Sequence, residues 1–235
     1  DLGFGILYDP AKAPHILLAK STGNGKSIFI EILIIQFLQV GDVGDDIPEV
    51  YICDPKNSDL SQLSHYFDET HVSSSLNGIA KICRLVVEEM EARYEFMQEN
   101  FKYGSSYVDH DLLPVWLVFD EMGGFQTNGS DKNSKAIVNE TMDYIRQIIL
   151  KGRQAGVFVL ISSQQMSANT LNTDLRDNLG LRVALGSNST EGYKMVFGSA
   201  SPTPQPIEEK GAGFLYLQGS GKETAQYYEA PWVDR

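Results

Sequence analysis

Two short stretches of this chain carry residue types that chemistry needs at a fixed spacing. The first is Gly23-Asn24-Gly25-Lys26-Ser27, set between an apolar run and a helical pattern. Glycines let successive backbone N–H groups turn inward toward phosphate oxygens. A helix beginning there adds its partial positive charge. Lys26 can then reach the β- and γ-phosphates of a nucleoside triphosphate, and the Ser27 hydroxyl can ligate Mg²⁺. Ser21 and Thr22 lead into the turn and complete the candidate nucleotide-binding segment. Consensus spacing wants a further glycine where Lys20 stands, so this loop is entered without glycine's freedom. The bland alternative is a glycine-rich helix start that holds no nucleotide.

The second stretch is Asp120-Glu121, directly after the apolar run 115–119. In P-loop nucleotidases the first such carboxylate holds Mg²⁺ through water, and the second polarises the attacking water. Adjacent carboxylates at the end of a buried strand are costly unless a cation or solvent sits beside them. The alternative is a solvated acidic strand end. Taken together, the two stretches predict a site for ATP and Mg²⁺, with Ser27 and Asp120 toward the metal and Glu121 as the catalytic base.

The elements that must position these groups follow from the hydrophobic pattern. Short apolar runs alternate with longer helical periods, the sign of a parallel sheet covered by helices. Residues 15–19, 49–53, 115–119, 157–162 and 181–185 read as strands. Residues 27–39, 77–100 and 136–151 read as helices. In the second of these Ile79, Ile82, Val86, Met90, Tyr94 and Met97 recur every three or four positions. Residues 123–135 read as a polar loop, and 201–206, with their prolines, as another. Residues 214–217 and 226–228 form a late hairpin around Gly219-Ser220-Gly221. With neither an internal repeat nor a second boundary, residues 1–235 read as one domain.

Composition sets limits. A chain of 235 residues, 42% hydrophobic and 21% charged, can bury a substantial core. The formal charge of −12 repels nucleic acid at long range, so any DNA contact needs a local basic patch or another part of a longer protein. Cys53 and Cys83 lie in apolar stretches and read as buried free thiols. Neither they nor His15, His65, His71 and His110 show metal-ligand spacing. The most apolar run, 28–40, is interrupted by Glu31, Gln36 and Gln39 and is too short to cross a bilayer. The chain opens at Asp1 without Met, so a piece of a longer protein is expected.

Further pieces resemble the FtsK/SpoIIIE family of hexameric DNA translocases. Pro14-His15-Ile16-Leu17-Leu18-Ala19 resembles its lead-in to the P-loop, and Tyr51-Ile52-Cys53-Asp54-Pro55-Lys56 its second strand. Glu89-Met90-Glu91-Ala92-Arg93-Tyr94 resembles a family helix motif. Gly152-Arg153-Gln154-Ala155-Gly156 and Ile161-Ser162-Ser163-Gln164-Gln165 resemble its Gly-Arg-x-x-Gly and Ala-Thr-Gln-Arg-Pro stretch, with Gln165 and Met166 departing from Arg-Pro. Gly211-Ala212-Gly213-Phe214-Leu215-Tyr216-Leu217 resembles the late strand. Within the family, coupling proteins of Gram-positive conjugative elements look most similar.

The resemblance implies a RecA-like P-loop core, an α/β fold with a largely parallel sheet flanked by helices. It implies ATP-driven DNA translocation by a homo-hexamer at the cytoplasmic face of the cell membrane, with any anchor outside these residues. Gln164 would sense the γ-phosphate or orient water, or else merely cap a strand. Arg153 would be a finger reaching a neighbour's nucleotide, or else a helix-terminal Arg satisfying carbonyls. Asp54 and Lys56 would be structural, or would support the catalytic residues from behind, rather than be catalytic themselves. Loops 123–135, with Lys132 and Lys135, and 167–176 would face DNA in a central pore, or be ordinary surface loops. A protein-secretion ATPase of the same superfamily and a non-hydrolysing scaffold are the competing functions.

Overall fold

The computed structural model describes residues 1–3, 5–20, 26–40, 47–164 and 171–231, with Lys20 described only through its backbone. Ile16–Lys20 (β1), Glu49–Cys53 (β2), Val72–Ser73 (β3), Val115–Phe119 (β4), Val157–Ser163 (β5), Leu181–Leu185 (β6), Ala212–Leu217 (β7) and Gln226–Glu229 (β8) form a sheet in the order β3-β2-β4-β5-β1-β6-β7-β8. The pairs from β3 through β6 are parallel, and β7 and β8 are added antiparallel. The central strands read as continuous apolar runs because helices cover both faces.

The helices are Lys26–Gln39 (α1), Leu76–Glu99 (α2), Met122–Gln126 (α3), Lys132–Ala155 (α4), Thr173–Arg176 (α5) and Thr190–Phe197 (α6). Strand alternation divides the core in two. Ile16 and Leu18 of β1 join Phe29, Ile30, Leu33 and Phe37 of α1 on one face, together with Trp116, Val118, Phe158 and Leu160. Leu17 and Ala19 look the other way, onto Ile79, Ile82 and Val86 of α2 and Ile145, Ile148 and Ile149 of α4. Because β1, β2, β4 and β5 run parallel, their C-terminal ends meet at one edge of the sheet, where such folds bind ligands.

β1 is anchored at its base by His15. Its Nδ1 accepts from the Val159 amide at 3.1 Å, and Nε2 lies 3.1 Å from the Ile149 carbonyl, to which it donates. The ring is fully buried and burial lowers its pKa to about 3, so it is held neutral. Its backbone is left-handed, with φ 61°, so the strand begins one residue later than expected, at Ile16.

The predicted strands β2, β4 and β6 match residue for residue, and the late hairpin is present. The expected polar loop 123–135 is different: α3 occupies its start, and α4 already begins at Lys132. The Asp131 side chain caps α4 by accepting from the amides of Asn133 and Ser134, and this first turn is too polar to register as periodicity. At its other end α4 runs to Ala155, where Gly156, at φ 72°, stops it. Gly152 stays inside the helix, against β5: a Cβ there would stand 2.0 Å from the Val157 carbonyl oxygen. Short β3 and the polar-rich α5 and α6 carry too few periodic residues to be anticipated.

Candidate functional site

The sheet's C-terminal edge collects the charged residues singled out in the sequence. Lys26 opens α1, and its ammonium donates to Asp120 Oδ1 at the end of β4. Both side chains are nearly excluded from solvent, at 6% and 4% exposure. The Ser162 hydroxyl of β5 joins them: it donates to Asp120 Oδ1, lies 3.4 Å from the Lys26 ammonium, and accepts from the Glu121 amide at 3.3 Å. A further tie comes from β2, whose Cys53 carbonyl accepts from the Asp120 amide at 2.8 Å. Three adjacent parallel strands therefore fix Asp120, β2 through its backbone and β5 through its carboxylate.

Glu121 sits where β4 turns into α3. Its backbone is left-handed, with φ 50° and ψ 54°, a conformation costing a bulky L-residue about 1–2 kcal/mol. Such strain concentrates at functional sites. Its Oε1 accepts from the Gln164 amide at 3.2 Å and lies 3.5 Å from the Ser163 hydroxyl. Oε2 is buried and forms no hydrogen bond of proper geometry, yet the Lys56 ammonium stands 3.2 Å away as its ion-pair partner. The contact is therefore one of charge, without directional bonding. Gly124 packs beneath: a Cβ there would press on Glu121 Cγ at 3.2 Å.

Ser27 follows Lys26 in the first turn of α1 and is partly exposed. Ser21, Thr22, Gly23, Asn24 and Gly25, the body of the predicted phosphate loop, lie outside the described residues. The Gln164 side chain is exposed at the end of β5, so its described link to the site runs through its backbone amide. Arg153 lies elsewhere. It is exposed on the last turn of α4, and its Nε donates to the Ala11 carbonyl at 2.8 Å. β5 lies between it and the carboxylates, a separation of roughly 20 Å along the strand.

Arg176, in the second candidate pore loop, is not free: Nε and Nη2 donate to Asp177 Oδ1, each at 3.1 Å, and Nη1 to the Lys194 carbonyl. Residues 167–170 of that loop are outside the described residues. Lys132 and Lys135 are exposed on the first turn of α4. Asp54 is fully buried and accepts from the amides of Ser58 and Ser61, the structural role expected of it.

Sequence reasoning missed Ser162 as a member of the site. A hydroxyl following the apolar stretch 157–161 is the available signal, and it has meaning only once β5 is known to lie between β4 and β1.

The residues fit a magnesium nucleotide. The desolvated Lys26 ammonium can exchange its Asp120 partner for a phosphate, which frees Asp120 to accept a hydrated cation, and Glu121 keeps one carboxylate oxygen without a hydrogen bond. Among the described residues no group of three or more His, Cys, Asp or Glu could hold a metal alone. Mg²⁺ suits such a site, since it keeps waters and phosphate oxygens as ligands beside one or two carboxylates.

The profile of the FtsK/SpoIIIE family matches residues 3–185. The chain belongs to the FtsK/SpoIIIE family. It is 35% identical over 218 residues to the FtsK domain-containing protein YdcQ of Bacillus subtilis, covering 92% of this chain and 43% of that protein. It is 27% identical to the DNA translocase FtsK of Streptococcus pneumoniae, covering 93% of this chain and 30% of that one. The chain thus spans less than half the length of these curated relatives. In structure it resembles the pCW3 conjugation coupling protein TcpA, solved with ATPγS, at TM-score 0.76 and 20% identity, over 97% of this chain and 63% of that one. It also resembles the cytoplasmic domain of the Thermomonospora curvata type VII secretion ATPase EccC, at TM-score 0.64 and 15% identity, over 98% and 25%. These likenesses establish the FtsK/SpoIIIE chain's fold as the P-loop ATPase core expected from its sequence.

Proposed function

We propose that this chain is the ATP-hydrolysing motor domain of a DNA translocase, acting as the coupling ATPase of a conjugative DNA transfer system. The observation that carries the reading is the convergence of Lys26, Asp120, Ser162 and Glu121 at one sheet edge. Mg²⁺, held by Ser27 and through water by Asp120, would supply neutralisation of the phosphate charge. Lys26 leaves Asp120 for the phosphates, while the Ser162 hydroxyl keeps Asp120 oriented. Glu121 takes the proton of the attacking water, and Gln164 lies beside it at the end of β5.

Arg153 is too far from its own chain's Lys26 to serve it, which supports a role toward a neighbour's site in a ring of six copies. Such a ring repeats the exposed Lys132 and Lys135 around one pore, so weak phosphate contacts act together. The isolated chain, at −12, is then mostly monomeric and binds DNA weakly. The proposed location is the cytoplasmic face of the cell membrane, with anchoring by segments beyond these residues; among the described residues no helix is long and apolar enough to cross a membrane.

A second reading, a protein-secretion ATPase, is favoured by the acidic charge and by the fold shared with EccC. ATP turnover measured with duplex DNA, single-stranded DNA or a secreted peptide separates the two. Stimulation by DNA is expected. Stimulation by the peptide alone would transfer the proposal to secretion. Binding without turnover under any condition would leave the scaffold reading that Lys20 invites.

A further inference from the structure

We propose that Lys56 is a positioning residue for Glu121, delivered to it by a turn built for that purpose; the proposal rests on the reading of Glu121 as the catalytic base. The turn begins at Asp54, directly after β2. Asp54 is fully buried, and its carboxylate accepts from the Ser58 amide at 2.7 Å, the Ser58 hydroxyl at 3.0 Å and the Ser61 amide at 3.1 Å. Its own amide donates to the Ser73 carbonyl of β3 at 2.9 Å. Asn57 adopts the left-handed conformation, with φ 51°, that closes the turn. Lys56 is thereby carried on a backbone fixed from both sides.

From there its side chain reaches across to β4 and places its ammonium 3.2 Å from Glu121 Oε2. The Glu121 side chain is 5% exposed and that of Lys56 45%. The carboxylate is thus desolvated while its partner stays in contact with water. Oε1 is already held by the Gln164 amide and approached by the Ser163 hydroxyl. Lys56 provides the charge contact on the other oxygen, so the pair fixes the carboxylate's rotation at the end of a strained, left-handed residue. Gly124 lets the two side chains meet, since a Cβ there would stand 3.2 Å from Glu121 Cγ and 3.7 Å from Lys56 Cε. A carboxylate left with one buried oxygen unpartnered turns away to find water. Partners that orient a reactive group from behind typically matter tenfold to a hundredfold.

The test compares Lys56→Met, Lys56→Gln and Lys56→Arg in the intact protein, measuring kcat, KM for ATP, ATP affinity by calorimetry and thermal stability. Lys56→Met and Lys56→Gln should lower kcat about tenfold, with KM and affinity changed less than twofold, and Lys56→Arg should restore most of the turnover. In the Glu121→Gln background, Lys56→Met should cause no further loss. Unchanged kcat in folded Lys56→Met, or a loss that persists in the Glu121→Gln background, overturns the proposal. A parallel fall in ATP affinity also overturns it, because Lys56 would then be touching nucleotide. Near-normal turnover by Glu121→Gln alone marks a different failure, that of the base assignment itself.

Discussion

Replacing Lys26 with alanine should damage this protein in two separable ways. The first is expected of any phosphate-binding lysine: ATP affinity collapses. The second follows from the partner that Lys26 has here. Its ammonium and the Asp120 carboxylate form an ion pair with side chains only 6% and 4% exposed. Removing one member of a buried pair costs about 3–5 kcal/mol, because the other charge stays buried without compensation. Ser162 continues to donate to Asp120 in the variant, which places the expected loss toward about 3 kcal/mol. For a domain of this size each kcal/mol shifts Tm by about 2–4 °C, so nucleotide-free Lys26→Ala should melt about 6–12 °C below the parent. Lys26→Met combined with Asp120→Asn, which neutralises both partners, should recover most of that loss without recovering ATP binding. Calorimetric melting and ATP titration of the parent, Lys26→Met, Asp120→Asn and the double variant close a double-mutant cycle. Lys26→Ala with an unchanged melting temperature would refute the buried pair. Unchanged ATP affinity would refute the phosphate-site assignment.

Glu121→Gln should bind ATP normally and turn it over at least a hundredfold more slowly, since the amide keeps the shape but takes no proton; single-turnover hydrolysis reads this, and near-normal rates would hand the base role elsewhere. Arg153→Ala and Lys26→Ala subunits, each inactive, should regain part of the activity when mixed, because a mixed interface pairs a sound site with a sound finger; no recovery in a co-assembled mixture would leave Arg153 as the strap on Ala11. Acid should weaken the fold through His15, whose pKa falls from 6.5 to about 3 on folding. The unfolded chain then binds the extra proton, so this stability is complete above pH 6.5 and is lost as pH falls, by about 2 kcal/mol at pH 5. Urea midpoints against pH should show that slope in the parent and a flatter one in His15→Asn.

The sequence was legible where apolar runs are bounded by charge. β2 ends at Asp54-Pro55 and β4 at Asp120-Glu121, and both boundaries were placed correctly because a carboxylate cannot continue a doubly buried strand. The long helices were legible in their middles, where burial imposes the period; the ends of α1 and α2 fell within one residue of expectation, and those of α4 did not. The start of α4 depends on a local hydrogen bond from Asp131, and its stop on Gly156, with Gly152 standing as a false stop inside the helix. Residue types were legible, but partners were not. Arg176 closes the loop 167–176 that was expected to face DNA, and only the fold shows Asp177 and the Lys194 carbonyl closed around it. Ser162 counted for nothing until three strands were laid side by side.

The same limit explains why this edge of the sheet breaks the rules that hold elsewhere in the chain. Lys26, Asp54, Asp120 and Glu121 are all buried, in a molecule whose other charges, Arg182 apart, lie partly or fully in solvent among the described residues. Burial of so many charges in one place opposes folding unless each finds a partner. Here each does, but with different consequences. Asp54 is satisfied by its own turn and stays satisfied whatever binds nearby. Lys26 and Asp120 satisfy each other, so an arriving phosphate must replace Asp120 as the partner of the ammonium. Glu121 is held by donors on one oxygen and by Lys56 alone on the other. The cluster is therefore graded from fixed to exchangeable, and its exchangeable members are the ones assigned to phosphate, metal and water. A group of charges assembled only for stability would have no reason to leave its most deeply buried ammonium with a partner that a ligand can displace.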